Sequence, residues 1–166
     1  MMSVTDSAKL SNAARQAIDD WLKRYPAEQK RSGVLQALTI VQAENGGWLT
    51  ESLMDAVAEY LDLPKIAVYE VASFYSLYHL KPVGENVIDV CTNISCMLRG
   101  SEEIVAYLQK KLNIKTGETT ADKKFTLREV ECLAACAVAP ACQIGKKYYE
   151  NLTPEKIDQI LAELSV

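Results

Sequence analysis

The sequence predicts an α+β chain, with a bundle of short helices over residues 1–80 followed by a small α/β layer over 81–166. Three observations lead there. Apolar residues recur at helical spacing through the first 75 positions. After Phe74-Tyr75, short apolar runs of strand type alternate with helical patterns. The apolar share is 49% against 24% charged, which is enough for a real core.

Ser11 is placed to cap a first helix running to Tyr25, with Ala14, Ala17, Ile18, Trp21, Leu22 and Tyr25 on one face and Pro26 ending it. A second helix is expected over Lys30 to Glu44, with Val34, Leu35, Leu38 and Val41 inward. Asn45-Gly46-Gly47 stops it, because glycine takes the left-handed cap without strain. Thr50 caps a third helix carrying Leu53, Met54, Val57, Tyr60 and Leu61. Pro64 suits the first turn of a fourth that runs to about Tyr75. None of the four carries a metal-ligand or nucleophile pattern, so the bundle reads as a packing or docking module. Phe74, Tyr75 and Tyr78 are candidates for an exposed patch covered by a partner.

Lys81-Pro82-Val83-Gly84 reads as a turn. Val87 to Val90 forms a short strand leading into Cys91. Ser101 is placed to cap the next helix, with Glu102 and Glu103 in its first turn and Lys110 and Lys111 in its last, both favoured by the helix dipole. The polar stretch Lys115 to Lys124 reads as a surface loop. Phe125, Leu127 and Val130 lie in a strand that ends at Cys132. Gln143-Ile144-Gly145 and Tyr148-Tyr149 make a hairpin. Thr153-Pro154-Glu155 opens the last helix, with Ile157, Ile160, Leu161 and Leu164 inward.

Composition narrows the function classes. A net charge of −4 gains little from releasing counterions on a phosphate backbone, so no nucleic-acid partner is expected. No run approaches the roughly 18 apolar residues needed to cross a bilayer, so no direct membrane insertion is expected. Met1 to Leu10 lacks the basic and apolar segments of a secretory signal and the arginines of a transit peptide. A reducing compartment is expected, where cysteine pairs serve as ligands or redox groups rather than disulfides, and the odd count of five leaves one thiol outside any set of four.

Four of those cysteines form two local pairs, Cys91-x4-Cys96 in "DVCTNISCMLRG" and Cys132-x3-Cys136 in "ECLAACAVAPAC". Each pair follows the end of an expected strand, and strand ends on one edge gather their loops in one place. Three chemistries remain open: plain buried thiols, structural zinc, and an iron–sulfur cluster. Zinc favours tight C-x2-4-C pairs in a tetrahedral cage. A 2Fe-2S core takes two thiolates per iron and is larger than one ion, so wider loops suit it. Its doubly negative site becomes triply negative on reduction. That charge must be met by donors, chiefly backbone N–H groups in loops and at a helix start. "CMLRGSEEI" offers such donors, and Arg99 is a candidate counter-charge. The single histidine, His79, lies outside both loops, so a Rieske-type site with two histidines is excluded. A thiol–disulfide oxidoreductase would want C-x2-C, which neither pair supplies. Cys142 is the leftover thiol, expected to be buried and structural.

"ASFYSLYHLKPVGENVIDVCTNISCMLRGSEEI" followed by "VECLAACAVAPACQI" resembles the thioredoxin-like 2Fe-2S ferredoxin subunits of respiratory complex I, the NADH:quinone oxidoreductase. The resemblance extends from roughly Val34 through the "LTPEKID" tail. It reaches equivalent subunits of NAD-linked hydrogenases, formate dehydrogenases and electron-bifurcating enzymes as well. It implies a thioredoxin-like second half, one 2Fe-2S cluster on Cys91, Cys96, Cys132 and Cys136, and a partner subunit that carries the FMN and binds NADH. The helical half would pack on that partner, and the cluster would accept single electrons from reduced flavin beside the main electron path. The resemblance also implies a place in the peripheral arm of a membrane complex, cytoplasmic in a bacterium or in the matrix of a mitochondrion. No catalysis is expected of the isolated chain, which lacks a G-x-G-x-x-G nucleotide motif.

Two departures from the family pattern stand out. Ala134 replaces the usual glycine between the last two ligands, and an ordinary φ is expected there, since a positive one costs alanine about 1 kcal/mol or more. Val138 stands where the family's "CVNAP" stretch has an asparagine, so no side-chain amide helps to fix that loop.

Overall fold

The computed structural model describes residues 9–165. The Met1–Leu10 reading lies outside them as far as residue 8. The chain divides into two compact units that meet in sequence between Pro82 and Val83.

The first unit holds four α-helices among the described residues. Helix α1 is Asn12–Leu22, α2 Val34–Glu44, α3 Glu51–Leu61 and α4 Lys65–Phe74. The caps follow the sequence. The Ser11 hydroxyl oxygen accepts the Ala14 N–H at 2.9 Å, and that of Thr50 accepts the Leu53 N–H at 3.1 Å. Helix α1 stops three residues short of Tyr25. Arg24 and Tyr25 bond back to Trp21 and Leu22, a tightened last turn, because a residue before proline avoids the helical region. The stretch Lys30–Gly33 is a 3-10 turn rather than part of α2, as befits the weak helix formers Ser32 and Gly33. Pro64 caps α4 from outside instead of entering its first turn. Ile18, Leu38, Leu49, Val57, Leu61 and Val68 form the core of this unit.

The three aromatics grouped by the sequence part company. Phe74 is 80% exposed and Tyr75 40%, whereas Tyr78 is only 5% exposed and belongs to the core. The reason is a hydrogen bond: the Tyr78 hydroxyl donates to the Leu35 carbonyl at 2.6 Å, which lets the ring be buried without an orphaned polar group.

The second unit is a four-stranded mixed sheet with helices packed on it. Its strands are β1 Asn86–Cys91, β2 Phe125–Val130, β3 Cys142–Ile144 and β4 Lys147–Tyr149, in the order β2-β1-β3-β4. Strand β1 pairs in parallel with β2 and antiparallel with β3, and β3–β4 is the expected hairpin. Helices α5 Ile94–Leu98 and α6 Ser101–Leu112 fill the crossover from β1 to β2, and α7 Pro154–Leu164 follows the hairpin. Ile88, Val90 and Leu127 from the strands meet Ile104, Leu108 and Ile157 from α6 and α7 in one core.

Three expectations change. Helix α5 is too short for its periodicity to register in the sequence. Ser101 is the first residue of α6 and not its cap: Gly100, at φ 88°, makes the turn from α5, a conformation serine avoids. Residues 115–124 form a loop that is pinned to β2, with Thr119 bridging Thr126 and the Gly117 N–H donating to the Leu127 carbonyl at 2.7 Å.

Gly84 begins the approach to β1. A β-carbon there would stand 2.9 Å from the backbone of Lys123 and Phe125, and its N–H donates to the buried Thr126 hydroxyl at 2.7 Å. Gly84→Ala should therefore cost about 1–3 kcal/mol through backbone displacement, read as a lower urea midpoint with an unchanged m-value.

Candidate metal centre

The site is built on strand pairing. Cys91 is the last residue of β1 and lies opposite Val130, the last residue of β2. Its N–H donates to the Ala141 carbonyl and the Thr92 N–H to the Val130 carbonyl, both at 3.1 Å, so the end of β1 is held from both sides. Asn93 then caps α5, its side-chain oxygen accepting the Ile94 N–H at 2.7 Å. That single turn of helix carries Cys96 back toward Cys91. On the neighbouring strand the chain leaves β2 and reaches Cys132 two residues later, and Cys136 opens a 3-10 turn, Cys136–Val138. The loop after it is tied down by the Asn151 N–H on the Val138 carbonyl and the Leu152 N–H on the Pro140 carbonyl.

All four expected ligands line one cavity of about 80 Å³, together with Asn93, Ser95 and Ala135. The two pairs differ in setting. Cys91 and Cys96 are 4% and 2% exposed and pack with Ala139 and Leu133, while Cys132 and Cys136 are exposed. All five cysteines are free of disulfides. Among the described residues, no three Cys, His, Asp or Glu side chains converge closely enough to hold a single metal ion. One tetrahedral zinc needs all its sulfurs within about 2.3 Å of one point. The four thiols line one cavity, and a 2Fe-2S core would take two thiolates per iron there.

Backbone donors face the sulfurs. The Ala134 N–H lies 3.3 Å from Cys132 Sγ, and N–H groups of Asn93 and Leu133 reach Cys91. Burial pushes the Cys91 thiol up, but those two donors and the Cys96 thiol outweigh it, leaving Cys91 below the ordinary value. Burial and the Cys91 sulfur push Cys96 up, against the Ala141 N–H. Arg99, the candidate counter-charge, is exposed to solvent.

Ala134 overturns an expectation. Its φ is +56°, in the left-handed region. The loop must fold tightly around the Cys132 sulfur, and this conformation accompanies the Ala134 N–H bond to it. The cost to alanine is about 1–2 kcal/mol.

A model of the thioredoxin-like [2Fe-2S] ferredoxin family matches residues 18–165. The chain belongs to that family. Among relatives of these ferredoxins, the NADH-quinone oxidoreductase subunit designated E, from Rickettsia bellii, is 49% identical over 146 residues, covering 88% of this chain and 87% of that one. A mitochondrial NADH dehydrogenase [ubiquinone] flavoprotein 2 of Dictyostelium discoideum is 42% identical over 147 residues, 89% of this chain and 60% of its own length. The fold is shared with an NAD+-reducing [NiFe]-hydrogenase structure, with a TM-score of 0.69 at 21% identity over 80% of this chain and 23% of that one. The residues fit the family's cluster: four thiols, no histidine, one cavity, and N–H donors aimed at sulfur.

Sequence reading passed over Asn93 and Ser95. The signal for Asn93 was present, a capping asparagine just ahead of "ISCML".

Cys142 sits on β3, fully buried, away from the cavity. Burial, aided by Asp89, raises its thiol from 9.0 to about 12. The unfolded chain then loses this proton near 9 and the folded one near 12. The contribution is therefore fully present below pH 9 and is lost as pH rises toward 12, at about 1.4 kcal/mol per pH unit. Urea unfolding of the metal-free chain should show the stability gap between wild type and Cys142→Ala shrinking from pH 9 to 11; a constant gap contradicts the buried neutral thiol.

Proposed function

We propose that this chain is the 2Fe-2S subunit of an NADH–quinone oxidoreductase, with Cys91, Cys96, Cys132 and Cys136 as the cluster's four ligands. The observation that carries the ligand set is the convergence of two thiol pairs on one cavity from the ends of adjacent parallel strands. The parent complex is supported by the relatives at 42–49% identity, whose names describe subunits of such enzymes.

When bound, the cluster supplies one-electron redox chemistry. The chain's own contribution is ligation and electrostatics. Cys91 and Cys96 hold the inner side in apolar surroundings, and Cys132 and Cys136 hold the side that faces solvent or a partner. The Asn93, Leu133, Ala134 and Ala141 N–H groups offset negative charge on the sulfurs. The partner in this reading is the flavin-bearing, NADH-binding subunit of the same complex, and the place is its peripheral arm. Among the described residues no helix is long and apolar enough to cross a membrane.

Docking falls to the helical unit. The exposed Phe74 and Tyr75 rings stack edge-to-face with centroids 5.1 Å apart, and Leu77 and Leu80 are exposed close by in sequence. Aromatic residues of this kind anchor interfaces, and truncating one costs about 2 kcal/mol or more at a hot spot.

Two experiments test the proposal. The chain reconstituted with iron and sulfide should show visible charge-transfer bands that bleach with dithionite. Serine at any of the four ligand positions should weaken or shift them, and Cys142→Ser should leave them intact; a colourless protein holding one zinc would refute the assignment. In a pull-down with the flavoprotein subunit, Phe74→Ala should weaken binding roughly 30-fold, and wild-type affinity in that variant would remove the helical patch from the interface.

A further inference from the structure

Ser95 stands directly before Cys96, in α5, and lines the same cavity as the four thiols. It is half-buried. Its hydroxyl makes no hydrogen bond to another described residue. The other polar side chain at the cavity that is not a cysteine is Asn93, whose oxygen accepts the Ile94 N–H at 2.7 Å; it keeps an NH2 donor but is exposed, where Ser95 is half-buried. Apart from the Cys96 thiol at Cys91, every donor so far assigned to the sulfurs is a backbone N–H. Ser95 is thus the side chain at this cavity with an uncommitted O–H to give.

We propose that the Ser95 hydroxyl donates a hydrogen bond to sulfur in the loaded site and thereby raises the potential at which the cluster is reduced. The inference rests on the four-cysteine ligand set. Its physical basis is differential: reduction adds a negative charge, and a donor to sulfur stabilises the more negative state more strongly. Low polarity strengthens the effect, because the inner thiols beside Ser95 are buried with Ala139 and Leu133.

The test is an optical redox titration of the reconstituted full chain. At the wild-type midpoint potential, Ser95→Ala should lower the ratio of reduced to oxidised protein roughly three- to tenfold, the upper figure corresponding to about 59 mV for one electron. Ser95→Thr, which keeps the hydroxyl, should stay within twofold of wild type. An alanine variant within twofold of wild type overturns the proposal, as does a threonine variant shifted as far as alanine. Should the alanine variant fail to hold the cluster, Ser95→Thr and Ser95→Val decide at matched shape: a low ratio in valine alone supports the hydroxyl, and equal ratios overturn it. A wild-type chain without charge-transfer bands overturns the ligand set itself and this inference with it, and shows before any variant is made.

Discussion

Parallel pairing of β1 with β2, in the register that sets Cys91 opposite Val130, is the constraint on which the metal centre depends. Parallel neighbours end on the same edge of a sheet, so both cysteine loops leave the fold side by side. The register matters as much as the direction. A slip of one residue would turn Cys91 to the other face and separate it from the loop that follows Val130. Two further bonds guard against that slip: Cys91 N–H to Ala141 and Thr92 N–H to Val130 lock the strand end between both neighbours. The crossover through α5 and α6 does double duty. It makes the parallel pairing possible, since such strands need a long connection, and its first turn returns Cys96 to Cys91.

The loop between Cys132 and Cys136 is where local preference yields to the site. Alanine at φ +56° is an unfavourable choice on backbone grounds alone. The Ala134 N–H on the Cys132 sulfur at 3.3 Å offsets part of that cost, and more so once the sulfur carries charge. Strain of about 1–2 kcal/mol is a sizeable fraction of the stability of a small unit. It is tolerable because the same loop is anchored further on, where Asn151 and Leu152 bond the carbonyls of Val138 and Pro140. Val138 offers no side-chain amide, and the loop around it is held by backbone bonds from the segment leading into α7.

Most of the fold was legible because its signals are local. Ser11, Thr50 and Thr153 announce helix starts through side-chain caps that the structure reproduces. The thiol pairs were legible because their spacing is unusual, and the strands before them say where the loops must go. What escaped was decided by tertiary contact or by backbone geometry. Tyr75 and Tyr78 look alike in sequence, but the Tyr78 hydroxyl meets the Leu35 carbonyl, and Tyr78 is the one that is buried. Ser101 has the chemistry of a cap, yet Gly100 takes the turn, because the chain leaves α5 in a left-handed conformation. Ala134 reads as ordinary because no periodicity reports the demand of a neighbouring sulfur. Helix α5 is a single turn, below the length at which periodicity speaks.

The fate of the fifth thiol follows from the same sheet. Cys142 lies on β3 opposite Val90 of β1 and Tyr149 of β4, so its place is in the body of the sheet and not in the loops beyond it. It joins Ile88, Val90 and Leu127 in the apolar core. Burial holds its proton up to about 12, so at neutral pH it is an uncharged thiol in an apolar core. The other buried thiols meet a different environment: Cys91 has N–H donors from Asn93 and Leu133, which favour the charged form against burial. Burial alone therefore does not sort ligand from bystander, since Cys91, Cys96 and Cys142 are all buried. What sets the four proposed ligands apart from Cys142 is the cavity they line together at the strand edge, with backbone N–H groups facing the sulfurs there.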